Sequence, residues 1–227
     1  MNSISANLSY ILKRIKLAAE RAGRDAETIK LVAVTKNVGI PKIREAIAGG
    51  VTIIGENRIQ EAREKFNEIG STVQWHFIGH LQTNKVKYLF DIFSLIHSVD
   101  SLPLAKEIQK RAEKKGIKTD ILIEVNLSGE KTKFGISPEK VIALTRDISK
   151  LKNINLKGLM TIPPFSESPE DSRQYFRMLR TLVTDVKKDG IKINELSMGM
   201  SNDFEVAIEE GATIIRIGTA IFGERRQ

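Results

Sequence analysis

The sequence predicts one α/β domain, a (β/α)8 TIM-type barrel with an extra N-terminal helix. Eight short apolar runs rich in Ile and Val alternate with helix-like segments along the chain. Most runs are continuous rather than alternating in polarity, as in parallel strands covered on both faces. A length of 227 residues suits one barrel, so we expect a single domain over residues 1–227. An open doubly wound sheet is the alternative fold.

The predicted elements begin with a helix and continue with strands separated by helices. The first helix covers residues 3–21, where Ile4, Leu8, Ile11 and Ile15 recur on one stripe. The predicted strands are 31–35, 52–55, 75–79, 95–99, 121–127, 156–161, 195–198 and 213–218.

Start and stop signals mark the helices between the strands. Ser-Pro-Glu occurs at 137–139 and again at 168–170, and each copy offers an N-cap, a proline at the first position and an acidic residue in the first turn. Ser101, with a proline two residues later, indicates another start. The glycines that we expect to end helices are Gly116, Gly190 and Gly211.

Composition argues against several classes of protein. There are no cysteines, so neither disulfides nor thiolate metal sites can form. His76 is read as structural and His80 as a residue of the barrel mouth, because no third ligand has metal-site spacing. No run approaches the ~20 apolar residues that span a bilayer, and the chain opens without a signal-peptide core, so we expect a cytoplasmic protein without a membrane partner.

Net charge raises nucleic acid as a possible partner. The chain carries +8, but its charges are scattered and only 6% of its residues are aromatic. Nothing resembles the interleaved basic and aromatic residues that stack bases. We expect no nucleic acid partner, and a basic nucleic-acid binder is the less favoured alternative.

The strongest chemical signal is Lys36, which follows the apolar run 31–35. Functional groups of such barrels lie at the carboxyl ends of the strands. Lys36 alternates in phase with Val32 and Val34, so it points into the barrel if they do. An amine in an apolar mouth loses its proton more readily and can form a Schiff base. The alternative is a lysine at a strand end whose amine reaches water.

Two loops at the same end of the barrel indicate a phosphate site. Residues 197–201 follow the seventh strand and Gly218 follows the eighth, and loops in these positions often bind phosphate in barrels. Small residues admit backbone N–H groups, hydroxyls add donors, and a helix starting near Ser201 would add its positive end. An ordinary turn with an N-cap is the alternative. Loops 130–135 and 161–168 follow other strands at this end, and the first is a candidate lid.

Arg216 and Asn57 complete the candidate site. Across the barrel from Lys36, the Arg216 guanidinium could meet a pyridine nitrogen, and because it keeps its proton it would weaken the ring as an electron sink. An ion pair with Glu124 is the alternative. Asn57 is either a helix N-cap or a contact of the ring's phenolic oxygen. Together these groups predict pyridoxal 5'-phosphate (PLP), held by Lys36 as a Schiff base.

Several motifs occur in a fixed order and carry a resemblance over nearly the whole chain. They are Val-Ala-Val-Thr-Lys at 32–36, Gly-Glu-Asn-Arg-Ile-Gln-Glu at 55–61, Trp-His-Phe-Ile-Gly-His-Leu-Gln-Thr-Asn-Lys at 75–85, Gly-Leu-Met-Thr at 158–161, Leu-Ser-Met-Gly-Met-Ser at 196–201 and Arg-Ile-Gly-Thr-Ala-Ile-Phe-Gly at 216–223. With them the chain resembles the pyridoxal phosphate homeostasis proteins, which are similar to the barrel domain of alanine racemase.

The resemblance implies a role for each matching residue. Lys36 would form the Schiff base, Arg216 would face the pyridine nitrogen, and Asn57 and Met160 would line the ring. The phosphate would be bound by Ser201, Gly218 and Thr219, with Ser197, Met198 and Gly199 nearby. The family commonly has serine at position 35 and tyrosine at position 58, where this chain has Thr35 and Arg58, so a role of residue 58 in the pocket rim stays open.

The resemblance also implies a carrier or buffer of PLP without catalytic or metal-binding residues. It favours a monomer, with apo forms of PLP-dependent enzymes as candidate partners. A two-base racemase needs an acid–base group on each face of the cofactor, and alanine racemases take one from a tyrosine of a second domain. Here Tyr10, Tyr88 and Tyr175 fall on predicted helices, and only 220–227 remain beyond Thr219. A weakly active PLP-dependent amino-acid racemase is the alternative function.

Overall fold

A closed barrel of eight parallel strands forms the centre of the computed structural model, which describes residues 3–130 and 132–224. The strands are β1 (Lys30–Val34), β2 (Ile53–Glu56), β3 (Gln74–Phe77), β4 (Leu95–Val99), β5 (Thr119–Glu124), β6 (Ile154–Met160), β7 (Glu195–Ser197) and β8 (Ile214–Ile217). Their order around the barrel is their order in the chain, and β8 pairs with β1. The predicted (β/α)8 barrel is confirmed, and the open doubly wound sheet is wrong.

Helices surround the barrel. They are α1 (Ile4–Arg21), α2 (Ile40–Ala48), α3 (Ile59–Ile69), α4 (Leu102–Lys115), α5 (Val141–Ser149), α6 (Arg173–Lys188), α7 (Phe204–Glu209) and α8 (Thr219–Phe222). Between β3 and β4 the chain forms a six-residue 3-10 helix, Thr83–Tyr88, in place of an α-helix. Among the described residues, no helix is long and apolar enough to cross a membrane.

Two predicted helix starts differ in detail from the structure. Ser137 and Ser168 have extended backbones, but each is followed by a short 3-10 turn, and α5 and α6 begin only after it. Neither hydroxyl caps its helix. Instead the serine carbonyls accept the N–H groups of Lys140, at 3.1 Å, and Asp171, at 3.2 Å. These i→i+3 bonds define the tighter 3-10 turn.

The extra helix α1 packs against α7 and α8, the last two helices of the ring around the barrel. Its apolar stripe is buried, including Leu8 and Ile11. The amide of Asn7 donates to the carbonyl of Ile221 at 3.0 Å, and Arg14 pairs with Glu205 at 2.6 Å. Helix α1 therefore packs on α7 and α8.

The core has an outer part, between sheet and helices, and a smaller part inside the barrel. The inner layer consists of Val32, Ile53, Leu95, Leu122, Met160 and Ile214. Residues in register on neighbouring parallel strands face the same side of the sheet. Arg216 is in register with Val32, and Ser197 with Met160, so both polar side chains also face the interior.

Candidate functional site

Lys36 lies in the turn that follows β1, at the carboxyl end of the barrel. Val32 belongs to the inner layer, Val34 is buried, and Lys36 continues the same alternation as a half-buried residue. Asn37 next to it has a φ of 57°, a left-handed conformation uncommon for a residue with a side chain. Its N–H donates to Glu61 Oε1 at 2.6 Å. These contacts fix the backbone directly beside Lys36.

A buried ion triad supports this turn from outside the barrel. Lys65 Nζ donates at 2.6 Å to three oxygens: Glu56 Oε1, Glu61 Oε1 and the carbonyl of Thr35. Burial raises the pKa of the Glu56 carboxyl, and the nearby Lys65 ammonium opposes that rise. Sequence reasoning missed the triad. The one-turn spacing of Glu61 and Lys65 on α3 was the available signal.

Arg216 is buried inside the barrel, where its guanidinium bonds to neutral oxygens. Arg216 Nη1 donates to Ser197 Oγ at 2.5 Å, and Nη2 donates to the Thr161 carbonyl at 2.9 Å. The ion pair with Glu124, which was the alternative expected from the sequence, is not formed between these two described residues. Burial lowers the pKa of Arg216 to about 10, against the opposing effects of Glu124 and Asp203. The group therefore stays a cation at neutral pH.

Glu124 ends β5 close to this cation. Its register partner is Met160 of the inner layer, so the carboxyl faces the barrel interior. Burial, and after it the charge of Asp100, raises the pKa of Glu124 to about 7, while Arg216 opposes the rise. A carboxyl with this pKa can exchange a proton near neutral pH.

Two histidines extend the polar contacts of Arg216 along the barrel interior. Ser197 Oγ lies 2.9 Å from His97 Nδ1, and His97 Nε2 lies 3.0 Å from His76 Nδ1. Burial lowers the pKa of His76 to about 4 and holds the pKa of His97 well below its ordinary value. Both rings are therefore neutral at pH 7. His97 was not among the residues predicted from the sequence, although a polar residue at an inward position of an apolar strand was a signal.

The loops after β7 and β8 meet at Ser201. Its hydroxyl accepts the backbone N–H groups of Gly218 and Ala220, both at 3.3 Å. Thr219 is exposed and is the first residue of α8, and Gly218 is the N-cap. The expected helix near Ser201 is wrong in position, because residues 201–203 form a turn and α7 begins at Phe204. The helical amides that converge here belong to α8 instead.

Gly199 and Met198 shape the first of these loops. Gly199 has a φ of 92°, and a Cβ there would lie 2.6 Å from Ala207 Cβ. A glycine is therefore required for the loop to lie against α7. The Met198 side chain is buried in the outer core, so only its backbone is available to a ligand in the barrel mouth.

Asn57 follows β2 and Met160 ends β6, so they reach the mouth from two other strands of the barrel. Met160 is fully buried in the inner layer. The N-cap of α3 is Arg58, so the alternative role of Asn57 as that cap is wrong. Asn57 Oδ1 is buried and makes no hydrogen bond with any described residue. Buried polar atoms are nearly always paired, so this amide suits the polar edge of a ligand.

The candidate lid contacts the mouth through stacked rings. Phe134 lies on His80 with 3.7 Å between ring centroids and 12° between ring planes. Loop 130–135 therefore reaches the end of β3, although Lys131 within it lies outside the described residues. No group of three metal-binding side chains occurs within residues 3–130 and 132–224.

Comparison with known proteins identifies relatives of the whole chain. The family model described as "Alanine racemase, N-terminal domain" matches residues 6–226. A pyridoxal phosphate homeostasis protein of Aquifex aeolicus (strain VF5) is 52% identical over 221 residues, which is 96% of this chain and 97% of that protein.

Solved structures share the fold. PipY of Synechococcus elongatus PCC7942, with PLP bound, has a TM-score of 0.83 and 35% identity, over 94% of this chain and 100% of that chain. An alanine racemase of Clostridium difficile 630 has a TM-score of 0.78 and 20% identity, over 98% of this chain and 58% of that chain. The second likeness concerns the fold alone.

Proposed function

The chain belongs to the pyridoxal phosphate homeostasis protein family, and from this we propose that it binds PLP as a Schiff base on Lys36. The observation that carries the proposal is that Lys36, the Arg216 guanidinium and the amides gathered at Ser201 lie at one end of one barrel. An aldehyde, a pyridine nitrogen and a phosphate each have a matching group there. PLP bound to the related PipY supports PLP as the ligand.

The phosphate is proposed to bind the loops after β7 and β8. At 3.3 Å, the bonds from Gly218 and Ala220 to Ser201 Oγ are long for N–H donors. Phosphate oxygens can therefore take these donors at small cost, with the Thr219 hydroxyl beside them. Because Gly199 lacks a side chain, the loop after β7 can lie against α7, and we propose that its backbone approaches the phosphate there.

Arg216, the buried amide of Asn57 and Met160 are the residues that would hold the ring of PLP. PLP supplies an electron sink when its ring nitrogen is protonated. Since the guanidinium stays charged at neutral pH, it favours the unprotonated nitrogen. The residues of this chain therefore hold the cofactor in a form that is poorly suited to carbanion chemistry.

We infer that the protein is a PLP carrier or buffer without substantial turnover. None of the three tyrosines belongs to the inner layer: Tyr10 is on α1, Tyr88 ends the 3-10 helix and Tyr175 is on α6. A weak amino-acid racemase is the second candidate. Glu124 favours it, because its pKa of about 7 suits a general acid–base group.

We also infer a monomer that acts in the cytoplasm and delivers PLP to apo forms of PLP-dependent enzymes. The absence of cysteine fits a reducing compartment. Light scattering of the holo-protein, together with transfer of PLP to an added apo-enzyme, tests these points.

The central experiment locates the bound cofactor. We expect the protein to become coloured with PLP, borohydride to change the absorbance, and peptide mass spectrometry to place the added mass on Lys36. Lys36→Ala should stay colourless, whereas Lys42→Ala, an exposed lysine on α2, should behave as the wild type. A colourless wild type, or the added mass on another lysine, contradicts the proposal. Turnover of D- or L-alanine at ~1 s⁻¹ or faster by chiral chromatography would favour the racemase.

A further inference from the structure

We propose that a cavity beside α3 binds a small organic anion with an aromatic or apolar body, separately from Lys36 and the phosphate loops. The cavity measures about 400 Å³. That volume lies in the range of small-molecule sites, roughly 300 to 1,000 Å³. Its walls come from Asn57 after β2, the first turns of α3, the end of β3 with His80, and the 3-10 helix Thr83–Tyr88. The cavity therefore adjoins the proposed cofactor site at Asn57, but Lys36 and the phosphate loops do not line it.

All charged residues that line this cavity are basic. They are Arg58, Arg63 and Lys85, and no aspartate or glutamate lines it. Among the described residues, Arg58 and Arg63 are the arginines that make neither a hydrogen bond nor an ion pair, whereas every other described arginine does. Both guanidinium groups are exposed and donate to no acceptor of the described residues, so they are available to an anion that can join them.

The start of α3 adds a second attraction for negative charge. The helix has 11 residues, and its N-cap is Arg58, whose side chain does not cap it. Among the described residues no side chain accepts the first N–H groups of the helix, and the first-turn Glu61 is paired with Lys65, so the positive end of the helix dipole stays open. Carboxylates and phosphates are the groups that such an end binds.

The rest of the cavity suits a flat or branched apolar body. Phe77 and Leu81 are buried and face it. Tyr88 forms another wall, with the Arg63 guanidinium 5.6 Å from the centroid of its ring. An aromatic ring can therefore lie against Tyr88 and Phe77 while its anionic group meets Arg58 and Arg63. The expected ligand is an aryl or branched-chain carboxylate or phosphate monoester.

Calorimetric titrations of the full chain test the site with four probes: phenyl phosphate, phenylacetate, inorganic phosphate and benzyl alcohol. We expect one of the two aryl anions to bind with one-to-one stoichiometry, and inorganic phosphate and benzyl alcohol at least tenfold more weakly. The stronger aryl anion identifies the source as a phosphate ester or a carboxylate. No binding of either aryl anion overturns the proposal.

Variants locate the bound probe. Arg58→Gln with Arg63→Gln should weaken binding at least tenfold, whereas Arg44→Gln, an exposed arginine of α2 paired with Glu68, should not. Phenyl phosphate can also enter the loops at Ser201, so Ser201→Ala is titrated in parallel. Binding lost in Ser201→Ala, alone or together with the arginine variant, overturns the separate site. If the double variant fails to fold by circular dichroism, Lys85→Gln at an exposed position replaces it, with an expected loss of about threefold.

This test does not require PLP on Lys36. The Lys36→Ala variant should bind the aryl anion as the wild type does, because Lys36 is not part of the cavity lining. The further inference and the proposed function can therefore fail separately.

Discussion

The Arg216 guanidinium lies 2.5 Å from the Ser197 hydroxyl inside the barrel, and this contact connects the candidate cofactor site to two buried histidines. The geometry follows from strand register. Ser197 is in register with Ile214, two residues before Arg216 on β8, so both side chains face the interior. A small hydroxyl at position 197 leaves room for the long guanidinium, and it bonds to His97 at the same time.

Replacing Ser197 by alanine should destabilise the fold, because it removes a hydrogen-bond partner from both Arg216 and His97. Leaving buried polar groups unsatisfied costs about 1 to 3 kcal/mol for each group. Ser98→Ala is the matched control, since Ser98 Oγ is buried and has no partner among the described residues. Urea unfolding should show a clear loss for the first variant and little change, or a gain, for the control. Equal losses would contradict the role given to Ser197.

Glu124 should make folding less stable as the pH rises. Its folded pKa of about 7 lies above the ordinary value of 4.5, so between these values the folded state holds a proton that the unfolded state has released. Stability is therefore lost from about pH 4.5 to about pH 7, by roughly 3 kcal/mol at most. Glu124→Gln should lack this loss. Unfolding curves at several pH values check it, and parallel pH profiles of the two proteins would rule it out.

His76 should make folding less stable as the pH falls, which is the opposite of the effect of Glu124. Its folded pKa of about 4 lies below the ordinary 6.5, so between these values only the unfolded state binds the proton. Stability should fall as the pH drops from about 6.5 to about 4, by roughly 3 kcal/mol. Lys30 contributes to the low value and Glu195 opposes it.

His76→Gln should flatten part of this acid loss. The remaining part belongs to His97, whose pKa is also lowered by burial. The measurement is the free energy of unfolding at steps from pH 4 to 7. A variant that loses as much stability as the wild type over this range would show that the His76 ring is already protonated in the folded state.

Lys65→Met should be among the most damaging single changes in the chain. It leaves the fully buried Glu56 carboxylate without its cation. Removing one partner of a buried pair costs about 3 to 5 kcal/mol. Adding Glu56→Gln to Lys65→Met should restore part of the lost stability, because the remaining group is then neutral. If the double variant is no more stable than the single one, the pair is not the source of the loss.

Gly79→Ala should disturb the mouth through Asn57. A Cβ at position 79 would lie 2.2 Å from the Asn57 carbonyl, so the backbone of one loop has to move. We expect a loss of about 2 kcal/mol or more, as for other overpacked sites, and weaker binding of PLP. Gly39→Ala is the control, because its Cβ would meet its nearest atom, Pro41 Cδ, at 3.8 Å, and as the N-cap of α2 it should lose only about 0.5 to 1 kcal/mol. Comparable effects in the two variants would argue against a special role for Gly79.

The sequence was sufficient for the barrel, because its signals are local. Continuous apolar runs mark parallel strands, and the alternation through Val32 and Val34 places Lys36 relative to the interior. The same local rules predicted the extra helix over residues 3–21, and the structure has it as α1 (Ile4–Arg21), with Ser3 as the N-cap rather than the first helical residue. The roles of the ten candidate cofactor residues stay predictions.

Contacts between distant residues were beyond such reasoning. His97 bonds to Ser197, which is 100 residues away, and no residue near His97 in the chain indicates that partner. The Lys65 triad depends on which side of β2 Glu56 faces, and this is set by its register with Phe77. Helix α7 begins later than expected because the carboxylate of Asp203 accepts the N–H of Met200, at 2.7 Å, and closes a turn first.

The packing of α1 against α7 and α8 has a consequence for synthesis on the ribosome. Residues 4–21 are made long before their partners near Glu205 and Ile221 exist. During that interval the apolar stripe of α1 lacks its native packing partners. The nascent chain must therefore bury the stripe transiently in other contacts or bind a chaperone through it. Productive folding can finish only after translation has passed Ile221, and pausing shortly before that point should raise the amount of aggregated product.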